Sequence, residues 1–278
     1  MIMDGDLFGK AMKTDPADAA TLVIDSGVGG LSVLALARLQ MPEENFIFFA
    51  DAANAPYGDK QPEEIIRLIY DLLRKQAENP LKAILIACNT ATSAAAAVLR
   101  KELPIPVIGM EPALKPAVLN TDGQVIVMAT SLTIREEKFR KLLAQYGEGR
   151  DIVPLPCPGL MEIVEKDPLG KDAEDYLRQT LRPYEKTAEA LVLGCTHYVF
   201  LRPMLRKVFP AIRLFDGNEG VVRHLQDIFR QTGRTGGCGR LSLGCSLTAP
   251  DAQKAYLDKC ARMLSFCESI YIEQSRKR

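Results

Sequence analysis

The chain has 278 residues, 47% of them hydrophobic and 25% charged, a composition typical of a soluble globular protein with a substantial core. Its 35 basic residues balance 35 acidic ones, so no basic surplus indicates nucleic-acid binding. No apolar run is long enough to span a bilayer, so we expect no membrane-spanning segment. Residues 1–20 carry aspartates and no long apolar stretch, so we interpret them as a leader rather than a signal peptide.

The cysteine content favours an intracellular setting. There are seven cysteines, an odd number, with no C-x-x-C spacing and no secretion signal. Free thiols in a reducing cytoplasm fit this pattern best. The two histidines and the scattered cysteines do not have the spacing of a zinc site. We therefore expect a cytoplasmic protein without a metal centre.

Strand and helix signals alternate along the chain, which predicts an α/β fold with mainly parallel sheets. Each strand predicted in the second half follows a counterpart in the first by about 105 residues, a spacing typical of internal duplication. We expect two similar, pseudo-symmetric lobes with the active site in the cleft between them, because ligands bind at the carboxyl ends of parallel strands. The strands are predicted near Leu22, Phe46, Ala83 and Pro106, and again near Val125, Ile152, Ala190 and Ile212.

The same pattern gives domain bounds and the main connections. After the leader, we assign residues 21–112 and about 222–278 to the first lobe, and residues 113–221 to the second. Apolar periodicity predicts helices over residues 62–76, 172–186 and 251–266, the last returning to the first lobe. Residues 233–244 carry five glycines and few bulky side chains, so we predict a loop there.

Two nearly matched cysteine motifs are the strongest functional signal. Each follows an apolar run, precedes a predicted helix and occupies the same place in its half: Ala87-Cys88-Asn89-Thr90 and Gly194-Cys195-Thr196-His197. At such a junction, backbone N–H groups and the positive end of a helix favour a thiolate. A lone cysteine is more often a buried apolar side chain, but the polar neighbours and the duplication favour function here. Two such thiols suit a reaction that removes a proton on one face and returns it on the other.

Two turns after predicted strands are further candidates for ligand binding. Residues 25–30 are glycine-rich and would bring Asp25 and Ser26 close to a small ligand. They do not form a dinucleotide fingerprint, because Ser32 stands where its last glycine would be. A plain turn with Asp25 as a helix cap is the alternative. Residues 51–59 have turn-rich backbone that could hold a carboxylate, although a surface turn without function fits equally well.

The two histidines differ in their surroundings. His197 lies two residues after Cys195, where proton transfer is a better interpretation than a core or capping role. His224 lies in an amphipathic segment and is interpreted as a surface residue.

These motifs together resemble the aspartate/glutamate racemase family, and within it the glutamate racemases. The matching segments occur in the family's order over about residues 20–230. They are both cysteine motifs, residues 25–33, 56–58 and 129–133, and Cys157-Pro158 followed by Glu165. The chain departs from the family pattern at Val199-Phe200, where Pro-Leu is frequent, and after about residue 232.

The resemblance implies cofactor-independent interconversion of L- and D-glutamate, supplying D-glutamate for peptidoglycan, with no cofactor and no metal. It implies that Cys88 takes the proton from D-glutamate and Cys195 from L-glutamate. Asp25 would assist Cys88, and His197 would assist Cys195 with Glu165 as a further helper. The implied substrate-binding residues are Asp25, Ser26, Pro56, Tyr57, Gly58, Asn89, Thr90, Thr196 and His197, with Thr130 and Thr133 as second-rank candidates.

Three other functions stay open at this point. A racemase of the same family acting on aspartate or another small acid would differ only in its pocket. A non-catalytic two-lobed amino-acid-binding protein would not need two matched thiols, and a thiol-redox protein would be expected to carry C-x-x-C. For partners, we expect a small-molecule substrate, no nucleic acid and no membrane, and we leave a homodimer open.

Overall fold

The structure, a computed structural model, describes residues 15–276, except for the side chain of Lys138. Positions 1–14 of the predicted leader lie outside the described residues, and the first strand begins at Ala20. The described chain forms two compact units. Residues up to Met110 and from Asn218 onward form the first, and Glu111–Gly217 forms the second.

The first unit is built on a five-stranded parallel sheet. Its strands are β1 (Ala20–Asp25), β2 (Phe46–Ala50), β3 (Leu81–Ile86), β4 (Val107–Gly109) and β9 (Leu241–Cys245). They are ordered β4-β3-β1-β2-β9, and every pair is parallel. All residues of β1 and β3 are buried, which is typical of parallel strands covered on both faces.

The second unit is built on a four-stranded parallel sheet. Its strands are β5 (Gln124–Ala129), β6 (Ile152–Pro156), β7 (Ala188–Leu193) and β8 (Arg213–Asp216). Their order, β6-β5-β7-β8, matches the order β2-β1-β3-β4 of the first sheet. The two units therefore share one topology, and the prediction of two similar α/β lobes with parallel sheets is confirmed.

The helices connect these strands in the expected alternation. Within residues 15–276, each is too short or too polar to span a membrane. They are α1 (Leu31–Gln40), α2 (Pro62–Lys75), α3 (Asn89–Glu102), α4 (Leu114–Asn120), α5 (Ser131–Arg135), α6 (Glu137–Tyr146), α7 (Leu160–Lys166), α8 (Lys171–Leu181), α9 (Arg202–Val208), α10 (Asn218–Thr232) and α11 (Pro250–Arg276). Short 3₁₀ helices cover Ala52–Asn54, Tyr57–Asp59, Arg182–Tyr184 and Thr196–Leu201.

The loop predicted for residues 233–244 is partly wrong. Strand β9 begins at Leu241 and adds to the free edge of β2, with Phe46 opposite Leu241 and Ala50 opposite Cys245. The glycines before β9 fit closely against the first unit, because a Cβ on Gly237 would lie 2.6 Å from the carbonyl oxygen of Glu43. The sequence of this segment does not itself predict a strand, and pairing with β2 makes it one.

Helix α11 is longer than its predicted counterpart and packs along α1. Its buried face consists of Cys260, Leu264, Cys267, Ile270 and Tyr271. Because β9 and α11 add to β2 and α1, the end of the described chain completes the first unit.

Candidate active site

The first predicted cysteine lies where β3 ends and α3 begins. Cys88 is the N-cap residue of α3, and its Sγ accepts a hydrogen bond from the backbone N–H of Ala91 at 3.4 Å. This N–H and the positive end of α3 both favour negative charge on sulfur. The side chain is only 8% exposed, so the thiol is largely shielded from water. The geometry expected of a reactive thiol is present.

The neighbouring strand β1 brings a carboxylate and a hydroxyl to the same place. Ser26 Oγ lies 3.9 Å from Cys88 Sγ and 3.4 Å from Asp25 Oδ1. Asp25 Oδ1 also accepts a hydrogen bond from the backbone N–H of Gly27 at 2.9 Å. Asp25 does not cap α1, whose N-cap residue is Gly30. The structure thus groups Asp25 and Ser26 with Cys88.

Tyr57 belongs to the same group through an aspartate that sequence analysis did not single out. Its Oη donates a hydrogen bond of 2.6 Å to Asp51 Oδ2, and Asn54 Nδ2 donates one of 2.9 Å to Asp51 Oδ1. Burial, together with the negative groups Asp51, Cys88 and Asp25, raises the pKa of Tyr57 well above its ordinary value. Tyr57 therefore stays protonated as a donor, and Asp51 fixes the turn that holds Pro56 and Gly58.

The first turn of α3 offers polar groups next to Cys88. Asn89 and Thr90 are 7% and 5% exposed, and the buried side-chain oxygen of Asn89 has no hydrogen-bond partner within residues 15–276. A buried acceptor left without a donor is costly, and a ligand N–H would satisfy it. One turn later, Thr92 Oγ1 donates to the carbonyl of Ile86 and accepts from the N–H of Met110, which fixes the helix start against β3.

The second predicted cysteine has different partners. Cys195 follows β7, and its Sγ lies 3.8 Å from His197 Nδ1. On the far side of the ring, His197 Nε2 lies 3.0 Å from Glu165 Oε1. His197 is 2% exposed and Glu165 23% exposed. The His197 imidazole thus lies between the Cys195 thiol and the Glu165 carboxylate. In this position it can exchange a proton with the thiol while the carboxylate stabilises its positive charge.

The backbone around Cys195 is tightly fixed. The helix predicted after Cys195 begins as a 3₁₀ helix over Thr196–Leu201, and all its residues are buried. Gly194 has no room for a side chain, since a Cβ there would lie 2.7 Å from the carbonyl oxygen of Met128. The second motif is therefore held against β5.

Thr130 and Thr133 lie at the end of that neighbouring strand. Thr130 caps α5, accepting a hydrogen bond from the N–H of Thr133 at 3.2 Å, and the two hydroxyls lie 2.9 Å apart. In the β5–β7 register, Met128 is opposite Leu193, so Thr130 and Cys195 both follow paired strand ends. Thr133 and Thr196 are both 3% exposed.

Cys157, which belongs to one of the segments that match the family, lies near the second cysteine. Burial raises the pKa of its thiol to about 12, and the negative charge of Cys195 adds to this effect. Tyr198 Oη donates a hydrogen bond of 3.2 Å to the carbonyl oxygen of Cys157. Cys157 directly follows β6 as Asp51 directly follows β2, its equivalent strand, so the duplication was a usable signal for both residues.

Among the residues that the structure describes, no three His, Cys, Asp or Glu side chains are grouped as metal ligands. His224 is exposed on α10, as predicted for a surface residue.

Comparison with known proteins identifies close relatives. A glutamate racemase of Clostridium perfringens is 47% identical over 220 residues, which cover 77% of this chain and 85% of that protein. One from Leptospira borgpetersenii is 47% identical over 205 residues, covering 73% and 79%.

Solved structures of glutamate racemases are also similar to this chain. Escherichia coli glutamate racemase in complex with L-glutamate and the activator UDP-MurNAc-ala has a TM-score of 0.77 and 28% identity, covering 90% of this chain and 95% of that one. The Thermus thermophilus glutamate racemase, solved with beta-chloro-D-alanine, has a TM-score of 0.71 and 32% identity, covering 88% and 94%. A family model, Asp/Glu/Hydantoin racemase, matches residues 32–225. The chain belongs to the Asp/Glu/Hydantoin racemase family.

Proposed function

We propose that the chain is a glutamate racemase, which interconverts L- and D-glutamate with Cys88 and Cys195 as its two bases. The observation that carries the proposal is the pair of shielded thiols at equivalent strand ends, each with its own polar partners. Cys88 has Asp25 and Ser26 nearby, and Cys195 has His197 and Glu165. The relatives named glutamate racemase support glutamate as the substrate.

The reaction breaks and forms one C–H bond at Cα. In the direction from L to D, the Cys195 thiolate removes the α-proton, forming an S–H bond and leaving a carbanion. The Cys88 thiol then gives its proton to the opposite face of the carbanion and becomes a thiolate. The D-to-L direction uses the same groups in reverse, so protons and charges balance without an added redox partner.

The chain's polar groups would lower the barrier by stabilising the carbanion. A thiolate is a modest base for an α-proton, so donors on the substrate carboxylate have to supply much of the stabilisation. Ser26, Thr90 and Thr196 are buried polar side chains beside the two thiols. Because both thiols are less than 10% exposed, these interactions act where water screens them weakly.

A cellular location and a metabolic role follow from this activity. We assign the protein to the cytoplasm, because the two-base reaction needs reduced thiols and none of the seven cysteines, all within residues 15–276, is in a disulfide. In that compartment its product would supply D-glutamate for peptidoglycan synthesis.

Proton NMR in D₂O tests the proposal directly. We expect purified protein, kept reduced and given L-glutamate, to remove the α-proton signal while optical rotation decays with it. Cys88→Ser and Cys195→Ser should each reduce racemisation by about 10²–10⁴-fold, since each removes one essential proton-transfer group. Cys238→Ser, at an exposed cysteine, is the matched control and should keep full activity.

The other outcomes separate the alternatives. Exchange with L-aspartate instead of L-glutamate would keep the family but change the substrate. Full racemisation by either catalytic-cysteine variant would exclude the two-thiol mechanism. Binding of glutamate with no exchange by wild-type protein would indicate a non-catalytic binding protein.

A further inference from the structure

Three side chains form a buried hydrogen-bonded chain behind the Cys88 side of the candidate site. Asn218, the first residue of α10, is 0% exposed. Its Nδ2 donates to Ser32 Oγ at 3.0 Å and to Tyr271 Oη at 2.7 Å. The chain thus joins the first turns of α1 and α10 to the end of α11. Tyr271 lies beyond residues 32–225, which match the family model.

Ser32 connects this chain to the loop of residues 26–30. Its backbone N–H donates to the carbonyl oxygen of Gly29 at 3.0 Å. The adjacent Gly30 is pressed against the candidate site, because a Cβ there would lie 2.8 Å from Asp25 Cβ and 3.0 Å from Ala87 Cβ. Ala87 directly precedes Cys88, so the loop has little room to move without displacing Asp25 or Cys88.

Resting on the proposed function, we propose that Tyr271 is a positioning residue for racemisation, acting through Asn218 and Ser32. Its hydroxyl keeps the Asn218 amide turned toward Ser32, and this fixes the loop that aligns Asp25 and Ser26 with the Cys88 thiol. Without that hydroxyl, the fully buried Asn218 amide loses one acceptor, and its hydrogen bond to Ser32 is held less firmly. The loop then holds Asp25 and Ser26 less rigidly beside Cys88, so proton transfer at this thiol slows.

Tyr271→Phe tests the proposal, because it removes only the hydroxyl and keeps the ring. We expect kcat/KM to fall about 3- to 10-fold, the loss typical of one hydrogen bond that acts on positioning. The fall must be equal in both directions, since the equilibrium constant between enantiomers is one. Tyr256→Phe is the matched control, the same change on α11 about 22 Å away along the helix, and should keep wild-type rates.

Kinetic isotope effects distinguish positioning from loss of folded protein. When transfer at Cys88 slows, α-deuterated D-glutamate should show a larger isotope effect and α-deuterated L-glutamate a smaller one. A general loss of folded enzyme would lower the rates without changing either isotope effect. Ser32→Ala should give the same asymmetry, and Ser32→Ala combined with Tyr271→Phe should cost less than the product of the two single effects.

The outcomes are separable. Lowered rates with unchanged isotope effects, or equal losses in Tyr256→Phe and Tyr271→Phe, would overturn the positioning role while leaving the racemase proposal intact. Absence of racemisation by the wild-type enzyme would overturn both. If Tyr271→Phe does not fold, Ser32→Ala carries the same isotope test.

Discussion

His197 lies between a thiol and a carboxylate, and this arrangement gives the two cysteines different chemistry. Cys195 has an imidazole 3.8 Å away that is oriented by Glu165, whereas Cys88 has a hydroxyl and the N-terminus of α3. Equivalent backbone positions thus carry different partners. The proton-transfer step at each thiol should therefore respond to a different set of substitutions.

Glu165→Gln tests this separation at a single residue. The substitution keeps the size of the side chain but removes the charge that stabilises a protonated His197, so we expect kcat to fall about 10-fold. The isotope effect should rise for α-deuterated L-glutamate, the substrate assigned to Cys195. Glu162→Gln, at an exposed position one turn earlier on α7, is the control. A larger isotope effect for D-glutamate instead would contradict the assignment.

The sequence contained the thiols and most of their partners, but not the contacts that support them. Cys88 and Cys195 were evident because each combines a strand end with polar neighbours, and local patterns of this kind are readable. Asp51 and Cys157 lie in segments that were noted, at equivalent strand ends, but neither received a role of its own, because their contacts depend on Tyr57 and Tyr198 folding back onto them. Such contacts depend on turn geometry that single-residue preferences do not specify.

At the scale of elements, β9 shows where strand prediction fails. The eight other strands within residues 15–276 were all predicted. Strand β9 is short, contains Gly244, follows a glycine-rich stretch, and is only partly buried. Its pairing with β2, almost 200 positions earlier in the chain, supplies what its own sequence lacks.

A buried ion pair fastens the segment before β9. Lys82, on β3, is 1% exposed and pairs with Glu44, which is 6% exposed. Lys82 Nζ also donates to the carbonyl oxygen of Gly236 at 2.6 Å, and Glu44 Oε1 accepts from the N–H of Gly236 at 2.7 Å. The ammonium lies 5.1 Å from the centre of the Phe229 ring. This one ion pair thus joins strand β3 to the segments that lead into β2 and β9.

Lys82→Met should destabilise the protein by about 3–5 kcal/mol, because it leaves the Glu44 carboxylate buried without its partner. Urea unfolding followed by circular dichroism measures the loss. Adding Glu44→Leu should recover part of it, since no charge is then left buried. The control is Lys141→Met, which breaks an exposed pair with Glu137 and should cost no more than about 0.5 kcal/mol. Equal costs for the two lysines would show that the buried pair has no special role.

At the scale of the whole molecule, the two units share one strand order but differ in the ionisable groups whose pKa values are raised. The second unit combines Cys157, Tyr176 and Tyr198, whose pKa values are all raised, chiefly by burial. In the first unit the corresponding groups are Tyr57 and Tyr70. Duplicated topology therefore does not imply the same dependence of stability on pH.

Cys157 should make the fold lose stability as the pH rises from 9 toward 12. Burial raises its pKa from 9.0 to about 12, so the unfolded chain gives up this proton first and unfolding becomes more favourable with pH. The stabilisation is complete below pH 9 and is lost as the pH passes through the folded value. One such proton contributes at most about 1.4 kcal/mol per pH unit to the slope.

Urea unfolding of wild type and Cys157→Ala at pH 8, 9, 10 and 11 measures this contribution. We expect the variant to have a flatter decline above pH 9, whatever its stability at pH 8. Cys238→Ala, at an exposed cysteine, should keep the wild-type slope. If the stability of Cys157→Ala declines as steeply as that of wild type, the alkaline loss of stability arises from other groups. The next residues to replace by phenylalanine are then Tyr70 and Tyr176, whose pKa values are raised to about 12.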